Sequence, residues 1–178
     1  MQDSHYGGLD DDQLWAEYVD GSDGAFTEIR NRYQEPIWRY LLLSGQDQRG
    51  AAQALGQILC HMATHRRHME GFSSVREWIF AIATQQVVPA HVPEEDGLMD
   101  FVAELKQGEP ETRAERMRRA IGDMQRRIRQ PFLLFTVFGL SIPEAARACR
   151  FPEEKTAQHI ELAYRRMARS GLSREEQK

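Results

Sequence analysis

The chain has 178 residues, of which 41% are hydrophobic and 28% charged, and these proportions are ordinary for a soluble globular protein. Its apolar runs are far shorter than the roughly 20 residues of a membrane-spanning helix, and two cysteines, Cys60 and Cys149, are too few for a disulfide framework. The first residues, MQDSHYGGLDDD, are acidic and polar, unlike a signal or transit peptide, so we expect a cytoplasmic protein with no membrane partner.

The charges are distributed unevenly along the chain. Residues 1–100 carry 16 acidic and 7 basic side chains, whereas residues 111–170 carry 7 acidic and 13 basic ones. Such a split suggests two units with different partners. The basic second unit is compatible with nucleic acid, whereas the acidic first unit should not bind DNA by charge alone, since phosphate contacts dominate that affinity.

Apolar residues recur at helical spacing through the first unit, and the alternation typical of strands is absent. The spacing predicts four helices, at residues 10–19, 25–44, 51–68 and 75–88. Pro36 lies inside the second helix and is expected to kink or divide it, because proline has no N–H and clashes with the preceding turn. The acidic start of the first helix and Ser73 or Ser74 before the fourth are expected to serve as helix caps.

The second unit is predicted to contain four more helices, at residues 113–129, 130–138, 142–149 and 153–170. The second of these is expected to begin near Pro131, a position that the first turn of a helix tolerates. An acidic segment with several prolines precedes them and contains at most a short helix at 98–105. We therefore predict an all-α protein of two small helical domains, residues 1–92 and 113–172, joined by a linker at 93–112.

The last two predicted helices have the proportions of a helix-turn-helix, in which the second helix enters the major groove of DNA. Ser141 and Glu144 form a capping-box pattern at the start of the first helix, and a turn follows at residues 150–152. The N-terminal residues of the second helix would meet base edges, and later arginines would reach phosphates. The candidate DNA-binding residues are Lys155, Thr156, Gln158, His159, Arg165 and Arg166. A helical hairpin with a solvated basic face is the alternative interpretation.

Three stretches resemble the extracytoplasmic-function (ECF) subfamily of RNA polymerase sigma factors. Residues 139–169, GLSIPEAARACRFPEEKTAQHIELAYRRMAR, are similar to region 4 of that family. In the first unit, GSDGAFTEIRNRYQEPIWRY and REWIFAIA are similar to region 2 motifs, in the expected order. The resemblance implies a region 2 domain and a region 4 helix-turn-helix. It also implies a transcription regulator that binds core RNA polymerase and promoter DNA, with an anti-sigma factor as a possible further partner.

The chain departs from the family at two positions that matter for mechanism. Where the family has an acidic helix that docks on polymerase, residues 48–59 read QRGAAQALGQIL and contain no carboxylate. The resemblance places the polymerase-binding residues there, at Gln53, Gln57 and Ile58. Where the family has a basic stretch that opens the promoter, residues 84–91 read TQQVVPAH, without arginine or lysine. The alternative function is therefore a degenerate sigma-like regulator that acts by protein contact without melting DNA.

The sequence contains weaker signals for a metal site, for an unusual turn and for catalysis. His61, His65 and His68 share one helix face and would fit a zinc site, but no distant Cys or His pair completes it, and we favour a solvated helix end. Arg150 stands where the family has a turn glycine, which requires an unusual backbone if φ is positive there. We find no phosphate loop, nucleophile motif or paired carboxylates, so we expect neither an enzyme nor a cofactor.

Overall fold

The computed structural model describes residues 6–67, 69–87 and 112–169, and this part of the chain is entirely helical. A short 3-10 turn, Tyr6–Gly8, precedes eight α-helices. They are α1 (Asp11–Val19), α2 (Asp23–Leu43), α3 (Gln48–Thr64), α4 (Val75–Gln86), α5 (Arg113–Gly122), α6 (Arg126–Thr136), α7 (Ile142–Cys149) and α8 (Glu153–Arg169). The predicted all-α fold is confirmed. Within the described ranges no helix combines the length and apolarity needed to span a membrane.

Helix α2 runs without interruption through Pro36, so the expected division at this proline does not occur. The helix buries Ile29 and Tyr33 before the proline, and Ile37 and Tyr40 after it. Because these side chains lie along one apolar stripe, their packing holds both parts of the helix on the same core and outweighs the hydrogen bond lost at proline.

The predicted helix at 113–129 is wrong, because the chain breaks between α5 and α6. Helix α5 ends at Gly122, and α6 starts at Arg126, five residues before Pro131, which lies inside α6. Among its described side chains, α5 buries only Ile121 in its last turn, so packing gives the helix little support beyond that point. The break instead allows Met124, between the two helices, to enter the core. The proposed helix at 98–105 lies outside the described residues.

The first four helices enclose an aromatic cluster in which the polar ends of Trp15 and Tyr18 are hydrogen-bonded. The rings of Trp15 on α1 and Trp78 on α4 lie with centroids 4.8 Å apart. The indole N–H of Trp15 donates to the carbonyl oxygen of Arg66 at 3.1 Å, and the hydroxyl of Tyr18 donates to that of Ala63 at 3.1 Å. Buried Trp and Tyr side chains require such partners, and these bonds fix the C-terminal end of α3 against α1.

The two halves of the chain pack against each other and share an apolar core. Helix α4 lies against α7, while α6 packs on α8. At the junction, the ring of Phe138 contacts Tyr40 and Phe80 of the first half, with centroids 5.5 and 4.9 Å apart. The division into domains joined at 93–112 stays a prediction, since that segment lies outside the described residues.

Candidate nucleic-acid interface

The turn between α7 and α8 follows from local sequence chemistry. The predicted capping box is present at the start of α7: the backbone N–H of Ser141 donates to Glu144 at 2.7 Å, and that of Glu144 donates to the Ser141 hydroxyl. Helix α7 ends at Cys149, and its cap residue Arg150 has a φ of 57°, in the left-handed region. The unusual backbone considered for this non-glycine residue from the sequence is therefore present. This reversal directs the chain into α8 after two further residues.

Helix α8 has one buried face and one exposed face. The buried face contains Thr156, whose hydroxyl donates to the carbonyl oxygen of Pro152 at 3.1 Å. Thr156 therefore stabilises the first turn of α8 and is not available to a base edge. The exposed face carries Lys155, Gln158 and Arg165. Three of the candidate residues thus share a solvent-facing surface, and the candidate Arg166 is half-buried.

His159 lies at the edge of this exposed face and is half-buried. Its ring packs edge-on against Phe151, with centroids 5.4 Å apart. Burial lowers the pKa of His159, and the nearby charges of Lys155 and Arg127 lower it further. We therefore expect a neutral imidazole at pH 7, which would recognise a base edge by hydrogen bonding and would not bind phosphate by charge.

The exposed face of α8 also carries acidic residues. Glu161 forms an ion pair with Arg165 at 2.6 Å, and both side chains are well exposed. Glu153 and Glu154 lie in the first turn, where the helix dipole favours negative charge. The electrostatic attraction of α8 for a phosphate backbone is therefore moderate, because carboxylates offset part of its positive charge.

The candidate polymerase-binding residues on α3 do not share one surface. Gln53 and Gln57 are exposed, whereas Ile58 is fully buried in the core. A groove of about 770 Å³ lies beside them between α2 and α3, and its walls include Trp38 and Leu55. The exposed face of α3 thus has no carboxylate and carries Arg49 one turn before Gln53, and Ile58 does not belong to it.

The histidine face of the first half is partly described. The rings of His61 and His65 are stacked with centroids 4.1 Å apart. Helix α3 ends at Thr64, before the predicted residue 68, because the Thr64 hydroxyl donates to the Cys60 carbonyl at 2.9 Å and closes the last turn. Among the described residues no three His, Cys, Asp or Glu side chains are grouped to hold a metal ion. His68 lies outside the described part of the chain.

An ion pair between a buried glutamate and a partly exposed arginine joins the two halves. Glu77 of α4 is fully buried, and its carboxylate receives two hydrogen bonds from the guanidinium of Arg147 of α7, the longer at 2.9 Å. The backbone N–H and the hydroxyl of Ser73 also donate to this carboxylate, at 2.8 and 2.7 Å. Four donors thus compensate one buried charge. One feature of the sequence points to this pair, although the sequence analysis did not use it: Glu77 is a carboxylate inside a mostly apolar helix.

Two carboxyl groups at this junction have lowered pKa values. Burial alone would raise the pKa of Glu77, but the hydrogen bonds from Arg147 and Ser73 outweigh it and lower the pKa below the usual glutamate range. Burial would likewise raise the pKa of Glu144, but the hydrogen bonds from Ser141 outweigh it, so the pKa is lowered. Both groups therefore bind protons less readily in the folded chain than in the unfolded chain.

We expect this junction to make the fold sensitive to acid. The contribution of these two carboxylates to the free energy of unfolding is present in full above the ordinary glutamate pKa of about 4.3. It is lost as the pH falls through the lower pKa of the folded state. Urea unfolding at pH 7, 5, 4 and 3.5 measures this loss. A Glu77→Gln variant removes one titrating group and should lose less stability between pH 5 and 3.5. Equal losses in the two proteins would contradict the assignment.

Comparison with known proteins identifies the fold. No family model and no curated protein matches the sequence. Among solved structures, CnrH in complex with the cytosolic domain of CnrY is similar, with a TM-score of 0.68 and 18% sequence identity over 90% of this chain and 96% of that one. CnrH is an ECF sigma factor. At this level of identity, the likeness shows that the chain shares the helical fold of CnrH.

Proposed function

We propose that the chain is an ECF-type sigma factor, a cytoplasmic regulator that binds core RNA polymerase and directs promoter-specific transcription initiation. The observation that carries this proposal is the α7–turn–α8 unit, in which a left-handed residue at Arg150 leads into a helix with Lys155, Gln158 and Arg165 on its exposed face. The fold likeness to CnrH over most of the chain supports it. We further propose an anti-sigma protein as a partner, since CnrH was solved bound to a domain of CnrY.

In this proposal α7 and α8 form a helix-turn-helix, and the N-terminal half of α8 enters the major groove. Lys155 and Gln158 then face base edges, while Arg165 and the exposed Arg169 face phosphates. The polymerase contact is assigned to the exposed face of α3, which carries Gln53 and Gln57. Because this face has no carboxylate and Arg49 is its one exposed charge among the described residues of α3, its affinity would rest mainly on hydrogen bonds and on the neighbouring apolar groove, with a small dependence on salt.

Promoter-specific transcription with purified core polymerase tests this function. The full-length protein is added to core enzyme and a genomic promoter library, and transcripts are mapped at their 5′ ends. The proposal expects transcripts that start at defined positions and that require the protein. Failure to produce any protein-dependent transcript, with a known sigma factor active in the same assay, would exclude it.

We expect the exposed basic residues of α8 to carry DNA affinity. Alanine at Arg165 or Arg169 should weaken binding of promoter DNA and reduce the slope of log affinity against log salt by about one per phosphate contact. Alanine at Lys155 should instead weaken binding most on the preferred sequence. Fluorescence anisotropy at several salt concentrations measures both effects. Arg67→Ala, at an exposed arginine of the first half, is the matched control and should change neither the DNA affinity nor its salt slope.

A second candidate function is a sigma-like regulator that acts by protein contact without opening the promoter. The observation that favours it is the exposed face of α3, which has no carboxylate where the family has an acidic docking helix. Affinity capture with the full chain distinguishes the two functions. Recovery of polymerase core as the main partner supports the sigma factor, whereas recovery of another regulatory protein without polymerase supports the alternative.

A further inference from the structure

A positively charged cleft of about 480 Å³ lies at the junction of the two halves. This volume is within the range of small-molecule binding sites. One wall is the C-terminal end of α4, and the other is formed by the start of α6 and the end of α7. Its described lining includes Gln85, Cys149 and Phe151 together with three arginines, Arg126, Arg127 and Arg150. Among the described residues the lining contains no carboxylate.

The guanidinium groups in the cleft are held by neutral acceptors. Arg126 donates to the carbonyl oxygen of Thr84 at 3.1 Å, and Arg150 donates to the side-chain oxygen of Gln85 at 3.2 Å. Within the described residues neither arginine forms a salt bridge. Each guanidinium has five N–H donors, so donors remain for an anion after these bonds are made. The existing bonds also orient both groups, which reduces the entropy lost when a ligand binds.

The charges in this region repel one another. Arg127 lines the cleft, and together with Lys155 its charge contributes to the lowered pKa of His159 nearby. Burial raises the pKa of the Cys149 thiol to about 12, so this thiol stays neutral and supplies no compensating negative charge. An anion in the cleft would relieve this repulsion, and most of the exposed surface of the cleft is apolar, with the half-buried Phe151 on its wall.

We propose that this cleft binds a phosphorylated small molecule with an apolar or aromatic body, of the nucleotide class. The phosphate would lie between Arg126 and Arg150, because the planar guanidinium matches phosphate oxygens with two parallel hydrogen bonds. The body of the ligand would lie against Phe151. Since Gln85 belongs to the first half and the arginines to the second, the bound ligand would bridge the halves. The proposal does not depend on the sigma assignment.

Direct binding of adenosine diphosphate to the full chain tests the proposal. Titration calorimetry with adenosine diphosphate and with inorganic phosphate should give binding of both, the nucleotide being at least tenfold tighter because its body contacts the apolar wall. The double variant R126Q/R150Q should weaken nucleotide binding at least tenfold. Arg118→Gln, an exposed arginine of α5 outside the cleft, is the control and should bind as the parent does. Circular dichroism establishes that each variant is folded.

A competing titration distinguishes the nucleotide from DNA. Adenosine diphosphate and a duplex of about 20 base pairs, which presents the same phosphate chemistry, are each titrated into the full chain and into R126Q/R150Q. Arginine-dependent binding of the duplex without binding of the nucleotide would assign the arginines to the DNA backbone and overturn the proposal. Absence of nucleotide binding at millimolar concentration, or equal binding by R126Q/R150Q, would also overturn it.

Discussion

Replacing Arg147 with alanine is expected to lower the free energy of unfolding by about 3 kcal/mol, because it leaves a buried carboxylate without its cation. Glu77 is fully buried and is bonded by Arg147 from across the junction. The two donors from Ser73 remain in the variant, so the loss is at the lower end of the range for broken buried pairs. Urea unfolding at pH 7, followed by circular dichroism, measures the change.

A second variant separates the buried charge from the packing. In the pair E77Q/R147M, the charge is removed from both sides while similar volumes are kept, so most of the lost stability should return. Arg150→Met, at an exposed arginine of the same helix end that forms no ion pair among the described residues, is the matched control, with an expected loss below about 1 kcal/mol. A loss in Arg147→Ala no larger than in this control would show that the ion pair does not stabilise the junction.

The same junction bears on the proposed function. If the chain is a sigma factor, its first half has to contact a promoter element near position minus ten and its second half one near position minus thirty-five. These elements are about 25 base pairs apart, which is about 85 Å of B-form DNA at 3.4 Å per pair. The two halves share a packed core and the Glu77–Arg147 ion pair, and a compact chain of this length, with a radius of gyration of about 16 Å, is shorter than this span. If the chain is a sigma factor, this contact has to open when polymerase and promoter are bound, and binding energy has to supply the cost.

Elements with local signals were predictable from the sequence. Helix α7 matches its predicted bounds, because Ser141 and Glu144 mark its start by a cap and Arg150 ends it. The start of α1 is likewise defined by Asp10, whose side chain accepts a hydrogen bond from Gln13. In both places the determining contacts lie within a few residues, so periodicity and capping chemistry are sufficient.

Features that depend on long-range packing were not predictable. The break between α5 and α6 depends on Met124 entering a core made partly by other helices. Packing buries the candidate Thr156, which therefore does not lie on the exposed face of α8. It also buries the candidate Ile58, which does not lie on the exposed face of α3. The Glu77–Arg147 pair joins positions 70 residues apart, and no local pattern predicts which arginine of the second half meets this carboxylate.

Replacing Phe80 with alanine is expected to cost about 4 kcal/mol, the largest effect at the junction of the halves. Phe80 is 2% exposed, and its ring contacts Tyr33 and Tyr40 of α2 as well as Phe138 of the second half. The substitution removes all of these ring contacts and leaves a cavity that three bulky neighbours cannot easily fill. Val137→Ala, beside Phe138 but 42% exposed, is the control and should cost less than about 1 kcal/mol.

The shape of the unfolding transition shows whether the two halves unfold together. Trp15 and Trp78 report on the first half by fluorescence, while circular dichroism reports on all helices. A shared core predicts that both signals change together in the parent protein, in a single transition. Because Phe80 connects the two halves, its alanine variant should unfold at lower denaturant by both probes. A variant whose tryptophan signal shifts while part of the helical signal keeps the parent midpoint would show that the halves fold independently.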